Sequence, residues 1–289
     1  MSRLIVNADD FGLTRGVNRA IMELHTAGVL TSATLMAKAG ATGEAIEMAQ
    51  RTPTLGVGCH VVLVDGEPVL PAREVSTLVD ETTGRFLPSL GGFLSRIFTG
   101  RIQSAEIEAE AAAQIGILKN NGLRPTHIDT HKHTHMFPQV LGPVLRAARA
   151  AGICAVRNPF EPEWAIRATP RAPWMRTAEV FALRRFGPFF QRLIAKEDFL
   201  TTDGTIAVAG TGVLDGDTVR SLLNKLPEGT WELVTHPGYN DGELAKIRTR
   251  LRDSRDVERS ALSAIKEFPA TELISFATLN LSGTPAARA

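Results

Sequence analysis

Short apolar runs alternate with helix-periodic stretches along nearly the whole chain, and this alternation narrows the choice of fold more than any other feature. Residues 3–8 read as a buried strand, and residues 16–28 carry Val17, Ala20, Ile21, Leu24 and Ala27 at helical spacing before Gly28 ends them. The rhythm continues with strands near 32–37, 55–63, 126–131, 153–158, 205–209, 231–236 and 272–277, and helices near 42–51, 104–120, 139–151, 217–225 and 254–267. Strands separated by helices need crossover connections and therefore a mostly parallel sheet. Seven or eight such units in 289 residues predict an α/β fold, an irregular TIM-like barrel forming a single domain over 1–289. An open doubly wound sheet is the alternative. Two excursions break the rhythm: a Pro- and Gly-rich stretch at about 64–103, placed to cover the mouth as a lid, and a second at about 160–200.

Charge and cysteine usage exclude several classes. A formal net charge of +1 supplies no broad basic field, which argues against nucleic acid as a partner. Cys59 and Cys154 stand far apart and outside any CxxC pair, so neither a disulfide framework nor a thiolate zinc site is expected. Only Leu4, Ile5 and Val6 run together before Asn7, too few for a signal-peptide core, and no stretch of 18 apolar residues occurs. The expectation is a cytoplasmic protein.

The polar residues that look out of place fall at strand ends. Asp9-Asp10, His60, His131, Arg157 and His236 each lie at the predicted C-terminal end of a different strand, and in a barrel those ends converge on one mouth. The run from Thr126 to His135 holds four of the seven histidines. Extended, it would set His127, Asp129, His131, His133 and His135 on one face, suited to holding a metal or moving protons. Spacing of four also links His127 with His131 and His131 with His135, so periodicity marks a site without choosing its ligands. For Asp9 and Asp10 to reach one site the strand must already be turning, a turn that Phe11-Gly12 can supply. His25, inside a helix, reads as structural.

Four motifs in register, Asn7 to Gly12, Gly58-Cys59-His60, Thr126 to Pro138, and Thr235 to Tyr239, resemble the YdjC-like carbohydrate deacetylases. Within that family the chain is most similar to the hopanoid biosynthesis-associated deacetylases. The resemblance implies one divalent metal ion, magnesium or zinc, held by Asp10, His60 and His131, with Asp9 as general base and His236 as general acid. His133 and His135 then take supporting or alternative roles, Arg157 orients Asp9 or touches substrate, and Asp129 orients a ligating imidazole. The implied reaction removes an N-acetyl group from an amino sugar, with an N-acetylglucosaminyl lipid of hopanoid biosynthesis as one substrate and diacetylchitobiose or another chitooligosaccharide as the alternative. A metal-dependent phosphoesterase and a non-catalytic metal- or sugar-binding barrel are the competing readings.

Between Trp164 and Lys196 lie two tryptophans, four phenylalanines, seven basic residues and one acidic residue. That mixture suits peripheral contact with the inner face of a membrane or a greasy groove, and equally a cover for the barrel wall or a homodimer interface.

Overall fold

The computed structural model describes residues 2–265, 267–268 and 270–282. In chain order the elements are β1 (Ser2–Phe11), α1 (Arg15–Thr26), β2 (Ser32–Leu35), α2 (Thr42–Arg51), β3 (Gly56–Val61), α3 (Leu90–Phe98), α4 (Ser104–Asn120), β4 (Ile128–Thr130), α5 (Pro138–Ala150), α6 (Glu163–Arg167), α7 (Trp174–Leu183), α8 (Gly187–Lys196), β5 (Gly204–Ile206), α9 (Gly216–Asn224), β6 (Gly229–Thr235), α10 (Ser254–Ser263), β7 (Thr271–Leu273) and α11 (Phe276–Ser282). Local chemistry sets several bounds. Thr14 caps α1 by accepting from Val17 N, and Gly28, at φ 75°, lies just beyond its end.

All strand pairs are parallel, in the order β4-β3-β2-β1-β6-β5, with β7 also paired to β1. The sheet curls into a half-barrel, and its remaining arc is crossed by single bridges, Ile128 to Val156 and Ala155 to Leu200. The strand expected at 153–158 is thus only a pair of bridges. Side chains stand in for the missing ladder there: Thr201 Oγ1 donates to Val156 O at 2.7 Å, Thr205 Oγ1 to Asn158 O at 2.6 Å, and Asn158 Nδ2 to Thr202 O at 3.1 Å. The last strand, expected through 277, stops at Leu273. Strands β1 to β6 are almost wholly buried, with Leu4, Val6, Ala33, Leu35, Cys59 and Leu233 among the residues sealed between sheet and helices.

Val75, Leu78, Phe86 and Phe93 of the first excursion join the main core, and α4 holds the excursion down: the Glu110 carboxylate accepts from Val69 N at 2.8 Å and Leu70 N at 3.0 Å. The second consists of α6, α7 and α8. No helix among the described residues is long and apolar enough to cross a membrane.

The largest departure from expectation is the histidine run. β4 ends at Thr130, and His131–Met136 form a 3-10 turn in which Lys132 and His133 take left-handed conformations at φ 56° and 52°. The five alternating residues therefore do not share a face. Thr130 closes the turn, its Oγ1 accepting from His135 N at 2.9 Å. His127 sits below the mouth, stacked on Phe276 with ring centroids 3.7 Å apart. A Cβ at Gly58 would lie 2.5 Å from its ring, so this glycine makes room for the histidine. Gly58→Ala should push His127 off Phe276 and destabilise the fold by about 1–3 kcal/mol, read as a lower midpoint in chemical denaturation; an unchanged midpoint would show that the ring has another place to go.

Candidate active site

Strand register brings the polar residues together. Ala8 pairs with Thr235, so Asp9 and His236 emerge side by side from β1 and β6. His60 pairs directly with Asp129. Between β1 and β2 the register runs from Ala8 opposite Ala33 to Phe11 opposite Leu35, so Asp9 and Asp10 together oppose Thr34. That bulge, with Asp10 at φ 63°, turns both carboxylates toward the mouth. The turn thus begins one residue earlier than Phe11-Gly12.

Asp10, His60 and His131 converge. Asp10 Oδ1 lies 3.5 Å from His60 Nε2 and 3.4 Å from His131 Nδ1, and the two nitrogens are 3.3 Å apart. Asp10 Oδ1 is buried without a hydrogen-bond partner, whereas its other oxygen is held by Arg255 Nη2. Two imidazoles and one carboxylate oxygen, mutually close and otherwise unsatisfied, fit a divalent cation. Asp9, Asp10, Asp129, Glu232 and Glu258 are all buried at this mouth beside two buried arginines, Arg157 and Arg255, and the buried His60 imidazole. A second group, Asp9, His60 and Asp129, is also compact, but Arg157 already lies against both of its carboxylates.

Arg157 is fully buried and grips three acids. Nη2 lies 2.6 Å from Asp9 Oδ1, Nη1 lies 2.9 Å from Asp9 Oδ2 and also holds Asp129 Oδ2, and Nε donates to Glu232 Oε1 at 2.8 Å. Burial works to raise the Asp9 carboxyl, but Arg157, then His60 and His236, hold it well below the usual carboxylate range. Burial likewise opposes Asp10, and Arg255 with His131 and His60 outweighs it. Glu232 and Glu258 are pushed by burial up to about 7.

The other candidates divide. Asp129 Oδ1 accepts from His60 Nδ1 at 2.8 Å, which leaves Nε2 facing Asp10. His236 Nε2 lies 3.7 Å from Asp9 Oδ2, its backbone N–H donates to Glu258 Oε2 at 2.7 Å, and burial lowers its imidazole to about 4. His135 stands behind Arg157, with Nε2 3.1 Å from Arg157 O. His133 is buried away from the three converging groups and, like His127 on Phe276, does not join them. Arg255, Glu258, Glu232 and Thr34 were not anticipated. Thr34 Oγ1 stands 3.2 Å from both Asp9 Oδ1 and His60 Nδ1.

Burial works to lower the His60 imidazole, but Asp129 first, then Asp9 and Asp10, raise it to about 9. Below that pH a proton on Nε2 competes with any cation, so affinity should rise with pH, by up to about tenfold per unit, with about one proton released per ion bound. Zinc or manganese titration calorimetry in two buffers of different ionisation enthalpy measures both quantities. Affinity independent of pH between 6 and about 8 would remove His60 from the ligand set.

Comparison with known proteins places the chain. The YdjC-like protein family matches residues 3–268. A carbohydrate deacetylase of Brevibacillus brevis is 33% identical over 284 residues, covering 97% of this chain and 100% of that protein. A chitooligosaccharide deacetylase of Salmonella schwarzengrund is 38% identical over 239 residues, 82% of each. A solved Enterococcus faecalis structure, described as a proposed cellobiose-phosphate cleavage protein, aligns with a TM-score of 0.77 at 27% identity, covering 96% of this chain and 98% of the other. A family match across almost the whole barrel, together with relatives aligned along most of their own lengths, shows that this chain belongs to the YdjC-like protein family.

Proposed function

We propose that the chain is a metal-dependent carbohydrate N-deacetylase that hydrolyses the acetamide of an N-acetylated amino sugar. The observation that carries this reading is the division of labour between neighbouring acids: Asp10 presents an unpartnered oxygen to His60 and His131, while Asp9 faces His236 instead. The names of the Brevibacillus and Salmonella relatives support the same reaction class.

A divalent cation held by Asp10, His60 and His131, zinc or magnesium, supplies when bound a water acidic enough to attack at neutral pH and a Lewis acid for the acetyl carbonyl. The chain's own groups handle the protons. Asp9 Oδ2 takes the proton of the attacking water, and Arg157 fixes the carboxylate plane while keeping it a weak base, so the proton is readily passed on. His236 is neutral at rest, which leaves Nε2 free to receive that proton from Asp9 Oδ2, 3.7 Å away. It then delivers the proton to the departing amine as the C–N bond breaks. Glu258 holds the backbone of His236 in place for both transfers.

The phosphoesterase alternative is less well supported, because such enzymes often use two cations close together. Here the guanidinium of Arg157 lies between Asp9 and Asp129, where a second ion would otherwise gather.

Asp9→Asn and His236→Ala should each lower acetate release from N-acetylglucosamine or its oligomers by roughly 10²- to 10⁴-fold while metal content stays at one ion per chain. Unchanged turnover in either variant would remove that residue from the scheme, and phosphate-ester hydrolysis without acetate release would replace the reaction.

A finer reading concerns a lipid-linked substrate. Trp174, Met175 and Phe181 are 78%, 65% and 57% exposed, and Phe189 is 38% exposed. Phe98, 56% exposed, joins this face through Phe137 and Phe186. Trp164 and Phe190 instead pack inward, against Trp231 and Phe160. Arg185, in the turn between α7 and α8, and Arg192 and Lys196 on α8 lie exposed, and a twofold dimer through this face would bring such charges against their own copies. An anionic membrane surface suits it better, which favours an amino sugar on a lipid, the N-acetylglucosaminyl lipid of hopanoid biosynthesis included. Flotation with phosphatidylglycerol vesicles should recover the wild type and lose most of a Trp174→Ser/Phe181→Ser variant; equal recovery, or none for the wild type, would discard this substrate class.

A further inference from the structure

His236 stands between two carboxylates. Its Nε2 lies 3.7 Å from Asp9 Oδ2, and its other ring nitrogen, Nδ1, lies 4.0 Å from Glu258 Oε2. The same Glu258 oxygen accepts from the His236 backbone N–H at 2.7 Å. Helix α10 brings the acid there. Arg255 and Glu258, three residues apart, are both buried on it. The loop after β6 lies close against this helix: Gly238 N donates to Arg255 O at 3.2 Å, and a Cβ at Gly238 would meet Arg255 Cδ at 3.2 Å. Backbone and ring of His236 are thus addressed by one side chain.

The charges around the imidazole are not equivalent. Asp9 and Asp10 of β1 act on it, but Arg157 holds both oxygens of Asp9 and Arg255 holds Asp10. Both arginines oppose a positive charge on the ring. Glu258 differs. Among the described residues no arginine or lysine lies within ion-pair distance of it, and its Oε1 is buried with no hydrogen bond of normal geometry. Burial accordingly raises its carboxyl to about 7, against the His236 and Gly212 N–H groups and Arg255. A buried carboxylate without a counter-ion is costly, and an imidazolium beside it relieves that cost.

We propose that Glu258 is a positioning residue for proton transfer at His236: its carboxylate holds the ring with hydrogen on Nδ1 and Nε2 bare toward Asp9, and then stabilises the imidazolium that forms. An imidazole that takes a proton at one nitrogen needs the other fixed by a third group. The 4.0 Å separation belongs to the neutral ring and shortens as the charge develops. In this role Glu258 touches neither substrate nor cation. Its part in turnover rests on the deacetylase reading; the pairing of acid and ring does not.

Nitrogen-15 NMR of histidine-labelled, zinc-loaded protein reads the His236 tautomer at about pH 8.5, above the value to which burial raises Glu258. The signal is assigned by its loss in His236→Ala. The wild type should show a protonated Nδ1 and a bare Nε2; the reverse tautomer, or an even mixture, overturns the proposal without any variant. Glu258→Gln keeps an oxygen for the His236 N–H but carries no charge. It should lose the tautomer preference and lower kcat for acetate release from N-acetylglucosamine or its oligomers by about 10- to 100-fold, with KM and metal content equal to the wild type. A retained preference, or an unchanged kcat, overturns the positioning role. Should the wild type release acetate from no sugar, the deacetylase reading fails by itself, and the tautomer in the wild type and Glu258→Gln still decides the pairing.

Discussion

The mouth of the barrel is organised around one buried guanidinium. Arg157 reaches acids on β1, β4 and β6 from a segment joined to its neighbours by isolated bridges and side-chain hydrogen bonds. It therefore does two jobs. It neutralises carboxylates that could not otherwise be buried, and it ties together the arc of the barrel where the ladder is thinnest. Taking away one partner of such a buried network leaves charge without compensation, a loss of about 3–5 kcal/mol. A lysine could not substitute, because only a planar fork with donors on three nitrogens can serve Asp9, Asp129 and Glu232 at once. His135, spaced from His131 as a metal partner would be, sits instead on the carbonyl of Arg157 and supports the hub.

A second arginine separates the two adjacent aspartates chemically. Arg157 engages both oxygens of Asp9, whereas Arg255 engages only one of Asp10, and the remaining Asp10 oxygen is the atom that faces His60 and His131. The β-bulge makes this possible, since two consecutive residues on a regular strand would point to opposite faces. One irregularity in backbone register thus converts a repeated residue into two different groups, one with both oxygens held by Arg157 and one with an oxygen left facing two imidazoles.

Much of the fold was readable because α/β barrels announce themselves by rhythm: helix spacing gave α2 at 42–51 and α4 at 104–120 with the bounds the structure has. Strand ends were readable for the same reason, and they carried Asp9, Asp10, His60, Arg157 and His236 to one mouth. The histidine run misled because its alternation is the signature of a strand, while the stop is local chemistry: Thr130 captures His135 N, and two residues accept left-handed conformations that side-chain pattern does not report. Arg255 and Glu258 were hidden for a different reason. The sequence of α10, Ser254–Ser263, is rich in charge and reads as a solvated helix, and only its packing beneath the loop after β6 buries these two. Glu232 carried a fainter signal, a lone acid within the apolar run from Trp231 to Val234.

The architecture also separates the candidate site from the surface around it. Asp9, Asp10, His60, His131 and His236 come from strand ends or from the turns that follow them, so their positions are fixed by the sheet. The surface beside the mouth comes largely from elsewhere: Leu90 opens α3 in the first excursion, and Val180 and Leu183 lie on α7 in the second. Excursions of this kind tolerate insertion and substitution far better than strands do. The placement of the candidate site is therefore set by the geometry of the sheet, while the segments around it are freer to vary. Relatives that share the barrel over most of their length should then differ in substrate chiefly through residues corresponding to 64–103 and 160–200, with Asp9, Asp10, His60, His131 and His236 held in common by the mechanics of the fold.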